Sequence, residues 1–538
     1  NEIGNYLVSA FKYAKEIGSL LSIKKLDYKQ FSEYLINIQE KGTDDLFSLD
    51  WIEHVLPKML RVTKQASILS NQYTVVTTNP PYMGRLEGNL KKFVVDNYKD
   101  YSTDLFAVFM RRNFDFTIQD GYIGFMTPNV WMFIKSYEKL RNFIINSKSI
   151  VTLIQMAKGA FFKEATVDIC TFVLRNKKST VPGIYYRLED FKGDMEVQKQ
   201  KVLEANQNKD CRYFYETVAT NFSKIPGSPI AYWISKCFTD IYENIPLSEI
   251  VDVKTGLQTG HNDKYLKLWF EVDYSDIEFQ ATSDIQFDKR WYPHTKGGGY
   301  RKWYGNYEYV IDWKNNGKSI KNESGSVIRG ESFYFKSGIT WSHTTSGGFS
   351  GRILPEHFII NVESPSVFSD KYLYYIMGLL NSCVGDKLFE IMNSSLHYLV
   401  GNVSKIPLIL NYNYKNLVQM IIYSNISISK SDFDSYETSW DFTCHPLVKN
   451  HVSTVSESYS LWFKECDDRF NQLKANEEEL NRIFIDIYGL QDELDPYVED
   501  KDVTVRKADL ERDVKSLISY AVGCMFGRYS LATEGLAF

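Results

Sequence analysis

Gln72-Tyr-Thr-Val-Val-Thr-Thr-Asn79 runs straight into Pro80-Pro81-Tyr82. The β-branched residues between Tyr73 and Thr78 predict a short buried strand, and two consecutive prolines end it and stiffen the turn that follows. Downstream, helical spacing over 103–118 places Leu105, Phe106, Phe109 and Met110 on one side. Asp120-Gly121 predicts a turn, 122–126 a strand closed by Pro128, 137–145 a helix, and 150–155 and 166–174 two further strands. Strand alternating with helix is the pattern of an α/β fold, here a partial Rossmann-like sheet whose last two strands can pair as an antiparallel edge. Ligands of such sheets sit beyond the carboxyl ends of the strands. Asn79 to Tyr82 therefore stand where a site is expected.

Working outward, 1–70 reads as a helical lead-in, with Ile3, Leu7, Phe11 and Ala14 at helical spacing and further helices over 31–39 and 51–62. Residues 71–180 form the α/β half and 181–245 a connector with little signal. Short apolar runs broken by Gly-rich and aromatic turns predict a mostly β domain over 246–410. Residues 411–538 read as a helical region. Its charged amphipathic stretch over 457–488 includes Glu477-Glu478-Glu479, expected to lie on a solvated face.

A chain of 538 residues is too long for one core. Its formal net charge of -5 excludes a protein that coats nucleic acid non-specifically, so any such contact must be a local basic patch. Aromatic residues make up 15%, which suits large cores and base stacking alike. None of the seven cysteines stands at C-x-x-C spacing, so no zinc ribbon and no metal is expected, and scattered thiols fit a reducing cytoplasm. No apolar run is long enough for an obvious membrane span. No signal peptide opens the chain, and a first residue Asn1 predicts a fragment of something longer.

Asn79-Pro80-Pro81-Tyr82 suits chemistry on a conjugated amine. The lone pair of such an amine is delocalised and nucleophilically weak, and two acceptors bonding its two hydrogens favour charge development on nitrogen. The Asn79 side-chain oxygen and the Pro80 carbonyl fit as acceptors. Pro81 completes the rigid frame, and Tyr82 offers a ring on which a flipped-out base can stack. The string resembles motif IV of the amino-group DNA methyltransferases, in the Asn form associated with N6 of adenine. Phe161 and Phe162 either take the second face of such a base, as the corresponding family motif does, or pack in the core.

Longer strings extend the resemblance: Val76-Thr-Thr-Asn-Pro-Pro-Tyr-Met-Gly84, Tyr101-Ser-Thr-Asp-Leu-Phe-Ala-Val-Phe109, Gly121-Tyr-Ile-Gly-Phe-Met-Thr-Pro128, Gly256-Leu-Gln-Thr-Gly-His-Asn-Asp263, Trp341-Ser-His-Thr-Thr-Ser-Gly-Gly-Phe-Ser350 and Leu480-Asn-Arg-Ile-Phe-Ile-Asp-Ile-Tyr488. In order and over nearly the whole chain they resemble the PglX family of BREX phage-defence systems. That resemblance implies a bacterial cytoplasmic adenine-N6 DNA methyltransferase using S-adenosylmethionine, acting on double-stranded DNA and associating with other BREX proteins. One departure stands out. The family holds its cofactor in a Gly-rich loop ahead of Asn-Pro-Pro-Tyr, yet only Gly4, Gly18 and Gly42 occur in the first 70 residues, with no strand before them. Cofactor-binding residues are therefore not assigned, and weak binding of S-adenosylmethionine by this chain is expected. A permuted loop at Gly297-Gly298-Gly299 is the less favoured alternative.

Lys289, Arg290, Lys296, Arg301 and Lys302 interleave with Trp291, Tyr292, Tyr300 and Trp303, a pattern that predicts phosphate contacts. Gln258, Thr259, His261 and Asn262 either reach base edges or form a Gly-rich turn. Two rival functions follow from the same residues: a recognition or scaffold fragment without activity, and the methylating half of a restriction–modification fusion.

Overall fold

The computed structural model describes residues 2–42, 45–161, 167–392, 397–450 and 452–537. The chain divides into two compact units, 1–235 and 236–538.

The first unit opens on helices α1 (Glu2–Ala10), α2 (Tyr28–Lys41) and α3 (Leu56–Ser70). Asp27 caps α2 by accepting from the Gln30 N–H at 2.9 Å. The apolar stripes of these helices meet around Leu7, Phe31, Leu35 and Leu56. A six-stranded sheet follows: β1 (Tyr73–Thr78), β2 (Thr117–Pro128), β3 (Ser149–Gln155), β4 (Ile169–Arg175), β5 (Gly183–Arg187) and β6 (Phe214–Thr217), in the order β1-β2-β4-β3-β5-β6. β1 runs parallel to β2 and β3 parallel to β5, while β4 lies antiparallel between β2 and β3. The sheet is mixed α/β as expected, and β3 and β4 pair antiparallel, but β4 is internal and the antiparallel edge strand is β6, paired with β5. β5 and β6 come from residues read as connector.

α4 (Leu105–Phe116) and α5 (Glu138–Ser147) share one core with the sheet, built on Phe106, Ile123, Trp131, Leu153 and Phe172. Each such side chain contributes about 1.5–3 kcal/mol on burial. Arg141 of α5 is buried in the same region and donates to the carbonyls of Trp131, Ile134 and Gly227 at 2.7–2.8 Å, tying the loop after β2 to the end of this unit. Three carbonyl acceptors satisfy a cation that burial would otherwise penalise.

Two expectations are corrected here. β1 is not buried: among the described residues it pairs only with β2, and Val75 is 58% exposed. A β-branched run signals a strand but not its number of neighbours. The turn read at Asp120-Gly121 is a kink inside β2, with Asp120 at φ 73°. A Cβ on Gly121 would lie 2.7 Å from the Thr74 carbonyl of β1, so the close strand approach requires glycine.

The second unit holds two small sheets. One orders β8 (Leu266–Leu268), β10 (Tyr309–Asp312) and β9 (Trp291–His294); the other orders β12 (Arg352–Leu354), β11 (Gly338–Thr340), β13 (Ser366–Phe368) and β7 (Asp252–Lys254). The expected mostly β domain is thus short ladders in irregular chain, wrapped on buried Trp303, Trp313, Trp341 and Tyr292. Helices α6 (Leu373–Asn381) and α7 (Cys383–Met392) begin well before 411, and α8 (Tyr412–Phe433), α9 (Val455–Tyr488) and α10 (Leu510–Met525) follow. Thr454 caps α9 through the Glu457 N–H at 3.2 Å, and Gly489 ends it at φ 66°.

Candidate active site

Parallel pairing of β1 with β2 sets Thr78 beside Phe125, so the turn after β1 lies against the carboxyl end of β2. Asn79 is exposed, Pro80 buried, Pro81 exposed and Tyr82 half-buried. The Tyr82 hydroxyl lies 3.1 Å from Asn79 Oδ1 and 3.3 Å from the Met126 carbonyl, and donates between them. Burial, then the neighbouring Cys170 thiol, pushes the Tyr82 hydroxyl above the usual phenol range. It therefore keeps its proton at neutral pH and acts as a donor. Its ring meets Phe106 edge-on at 6.3 Å, anchoring the residue to the core.

Asp104, which the sequence reading passed over, clamps the motif from the other side. As N-cap of α4 its carboxylate accepts from the Phe106 N–H at 3.1 Å and also from the Met83 N–H at 2.9 Å. The Leu105 N–H returns a bond to the Met83 carbonyl at 3.1 Å. An Asp immediately before an apolar helical run was the available signal. The Asn79 amide oxygen has a second lone pair, so its bond from Tyr82 leaves an acceptor for an incoming N–H.

Phe161 is described and 42% exposed, whereas Phe162 lies outside the described residues. Cys170 is a core thiol, raised to about 12 by burial, and is not a nucleophile.

The Eco57I restriction-modification methylase family model matches residues 7–162. The adenine-specific methyltransferase PglX of Lacticaseibacillus casei (strain Zhang) is 40% identical over 99% of this chain and 46% of its own length. The adenine-specific methyltransferase BrxX of Escherichia coli O9:H4 (strain HS) is 31% identical over 99% of the chain and 44% of its own length. This chain is similar to PglX and BrxX along almost its whole length. It spans about half the length of these curated relatives. Among solved structures, the type IIL restriction-modification enzyme MmeI in complex with DNA superposes with a TM-score of 0.48 and 11% identity, over 97% of this chain and 77% of that one.

Similarity to methyltransferases implies S-adenosylmethionine as the methyl donor. Among the described residues no strand precedes β1, and Gly4 stands in α1, Gly18 in a short 3-10 turn and Gly42 just after α2. None opens a helix after a strand, so these residues do not fit the donor's adenosyl group and none is assigned to it. Gly297, Gly298 and Gly299 follow β9, but the chain after them does not enter a helix, so they lack the geometry of a permuted loop.

In the second unit the basic segment splits. Lys289 reaches Glu278 at 3.6 Å and Arg290 reaches Asp312 at 2.8 Å, with both heads partly in solvent; Lys296 is half-buried. Arg301 and Lys302 turn inward, correcting the single surface patch expected there. Arg301 faces Asp432 at 3.5 Å and the Phe433 ring at 5.4 Å. Lys302 is 5% exposed and lies 3.4 Å from Glu477, which also accepts from Trp303 Nε1 at 2.6 Å. Glu477 is accordingly buried, not solvated as its Glu-Glu-Glu run suggested. The aromatics expected to interleave with the cations, Trp291, Tyr292 and Trp303, are core.

The 256–262 loop is a fixed platform. A Cβ on Gly256 would come within 2.0 Å of the Ile360 carbonyl, and Gly260 turns at φ 76° against Ser324. Thr259 is buried and donates to Asn262 Oδ1 at 2.7 Å, so it braces the turn, while Gln258, His261 and Asn262 are exposed.

Proposed function

We propose that this chain carries the target-base site and the DNA-recognition part of a site-specific DNA methyltransferase acting on N6 of adenine. The substrate is double-stranded DNA, the methyl donor S-adenosylmethionine, and the setting a BREX-type defence system with its other proteins as partners. The observation that supports this best is the Asn79 carboxamide, held at the carboxyl end of a parallel strand by the Tyr82 hydroxyl with one acceptor lone pair free. Asn79 Oδ1 and the Pro80 carbonyl accept from the two N6 hydrogens, drawing the lone pair out of the ring as the nitrogen becomes cationic. The base reaches them by leaving the duplex, and Phe161 covers one of its faces. On the second unit, Gln258, His261 and Asn262 read base edges from the fixed loop, while Lys289, Arg290 and Lys296 contact phosphates.

The test is Asn79→Ala in the longer protein that contains this chain, with methyl transfer to DNA as the readout. Loss of one preorganised partner lowers turnover on the order of 100-fold, with DNA binding largely kept. Unchanged methylation removes Asn79 from the site. The rival reading, a recognition scaffold without activity, is supported if the longer protein binds DNA specifically and transfers no methyl group.

A further inference from the structure

At the end of the sheet opposite Asn79, a cleft of about 550 Å³ opens between the helices and the strand starts. The six residues of β1 separate the two places by about 20 Å. Four cations, Arg111, Lys148, Lys177 and Lys178, line this cleft with a single carboxylate, Asp115. In a chain of net charge -5 this is a strong local excess of positive charge.

Most of that charge is not cancelled. Asp115 is shared by Arg111 at 2.8 Å and Arg112 at 3.6 Å, and Lys177 pairs with Asp120 at 3.1 Å, which already holds Arg175. Among the described residues neither Lys148 nor Lys178 forms an ion pair, although the Asp115 charge acts on Lys148. Lys148 is nevertheless fixed: its ammonium sits over the rings of Phe114 and Phe143 at 5.0 and 5.4 Å and donates to Asn176 Oδ1 at 2.6 Å. Asn176 is itself locked by donating to the Thr117 and Ile118 carbonyls at 2.8 and 3.1 Å. A half-buried cation held in place beside a second cation, with the exposed Lys178 at the rim, presents a donor whose ordering cost is already met by the fold. Burial, followed by the charge of Arg111, lowers the Lys148 pKa, a strain that an arriving anion relieves.

We propose that this cleft is an anion site that takes a phosphate group, separate from the target-base site. Two sources carry that chemistry, a free phosphoanhydride and the phosphate backbone of DNA, and the experiment separates them. Inorganic pyrophosphate and a short non-specific duplex are each titrated calorimetrically into the 538-residue chain at low salt. The expected result is saturable pyrophosphate binding, weakened about tenfold by Lys148→Gln and retained by Lys148→Arg. Lys178→Ala, an exposed change that leaves the fold alone, weakens it by about two- to fivefold. Binding of the duplex but not pyrophosphate, lost in the same variants, assigns the phosphate to DNA. Equal binding by wild type and both charge-removing variants, or no binding of either ligand, overturns the site.

Discussion

At Tyr82 one side chain does two things that are separable by mutation. Its ring is packed edge-on against Phe106 and its hydroxyl holds the Asn79 carboxamide. The Asn-Pro-Pro-Tyr string suggested only the ring, because stacking is the property that sequence advertises; the hydroxyl bond needs the turn geometry to be seen. Tyr82→Phe keeps the ring and frees Asn79 to rotate. In the longer protein it is expected to lower methylation turnover by about five- to tenfold, the worth of one neutral hydrogen bond. The rise of 2-aminopurine fluorescence on base flipping stays as in wild type. Unaltered turnover in Tyr82→Phe counts against the positioning role. Tyr82→Ala loses both readouts, since stacking is worth ~1–3 kcal/mol per base.

Among the elements, the Lys289–Trp303 segment separates two kinds of cation that look alike in sequence. Lys296 stands at a half-exposed position, while Lys302 ties the segment to α9 through buried Glu477. If the segment contacts DNA, Lys296→Ala shallows the salt dependence of DNA binding by about one unit of slope. Lys302→Ala leaves the slope unchanged and lowers the urea midpoint instead. It strands Glu477 in the interior, and breaking a buried pair from one side costs ~3–5 kcal/mol. An unchanged slope in Lys296→Ala and a changed one in Lys302→Ala reverses the assignment. The helices of the C-terminal region were legible from their period, since 3.6-residue spacing is a local property. The ladders of β7 to β13 were not, because strands of three or four residues carry too little alternation to place their ends.

For the whole molecule, pH and cofactor binding give two checks. His294 and His445 are buried, and burial lowers their pKa values to about 3 and about 4. The Asn361 amide points its Nδ2 at His294 Nε2 at 2.8 Å, because its Oδ1 is taken by the Glu363 N–H, and His445 Nδ1 accepts from the Leu447 N–H. Both rings are neutral acceptors in the fold. Their folded pKa values lie below the unfolded value near 6.5, so the unfolded chain binds protons first as pH falls. Stability is full above about pH 6.5 and declines toward pH 4, by ~2 kcal/mol per histidine at pH 5. Urea unfolding at pH 8, 6.5 and 5 measures this; a flat profile shows that neither ring is held neutral. The second check is calorimetry with S-adenosylmethionine. Ahead of Asn79 the described residues offer no glycine turn leading from a strand into a helix, so this chain is expected to bind it more weakly than micromolar. Micromolar binding would falsify that reading and reveal a disguised cradle.

By itself the sequence determined the α/β alternation around Asn79-Pro80-Pro81-Tyr82, the helices on either side, and the resemblance to PglX-type methyltransferases that similarity along the chain then supported. These are readable because periodicity, proline placement and motif order are written locally. Only the tertiary structure decided that β4 lies inside the sheet, that β1 is exposed, that residues 181–235 extend the same unit, and that Arg301, Lys302 and Glu477 face inward. The physical reason is common to all four. Burial and pairing are set by what arrives from elsewhere in the chain, and a charged or β-branched residue looks the same in sequence whether its neighbour is water or a distant carboxylate.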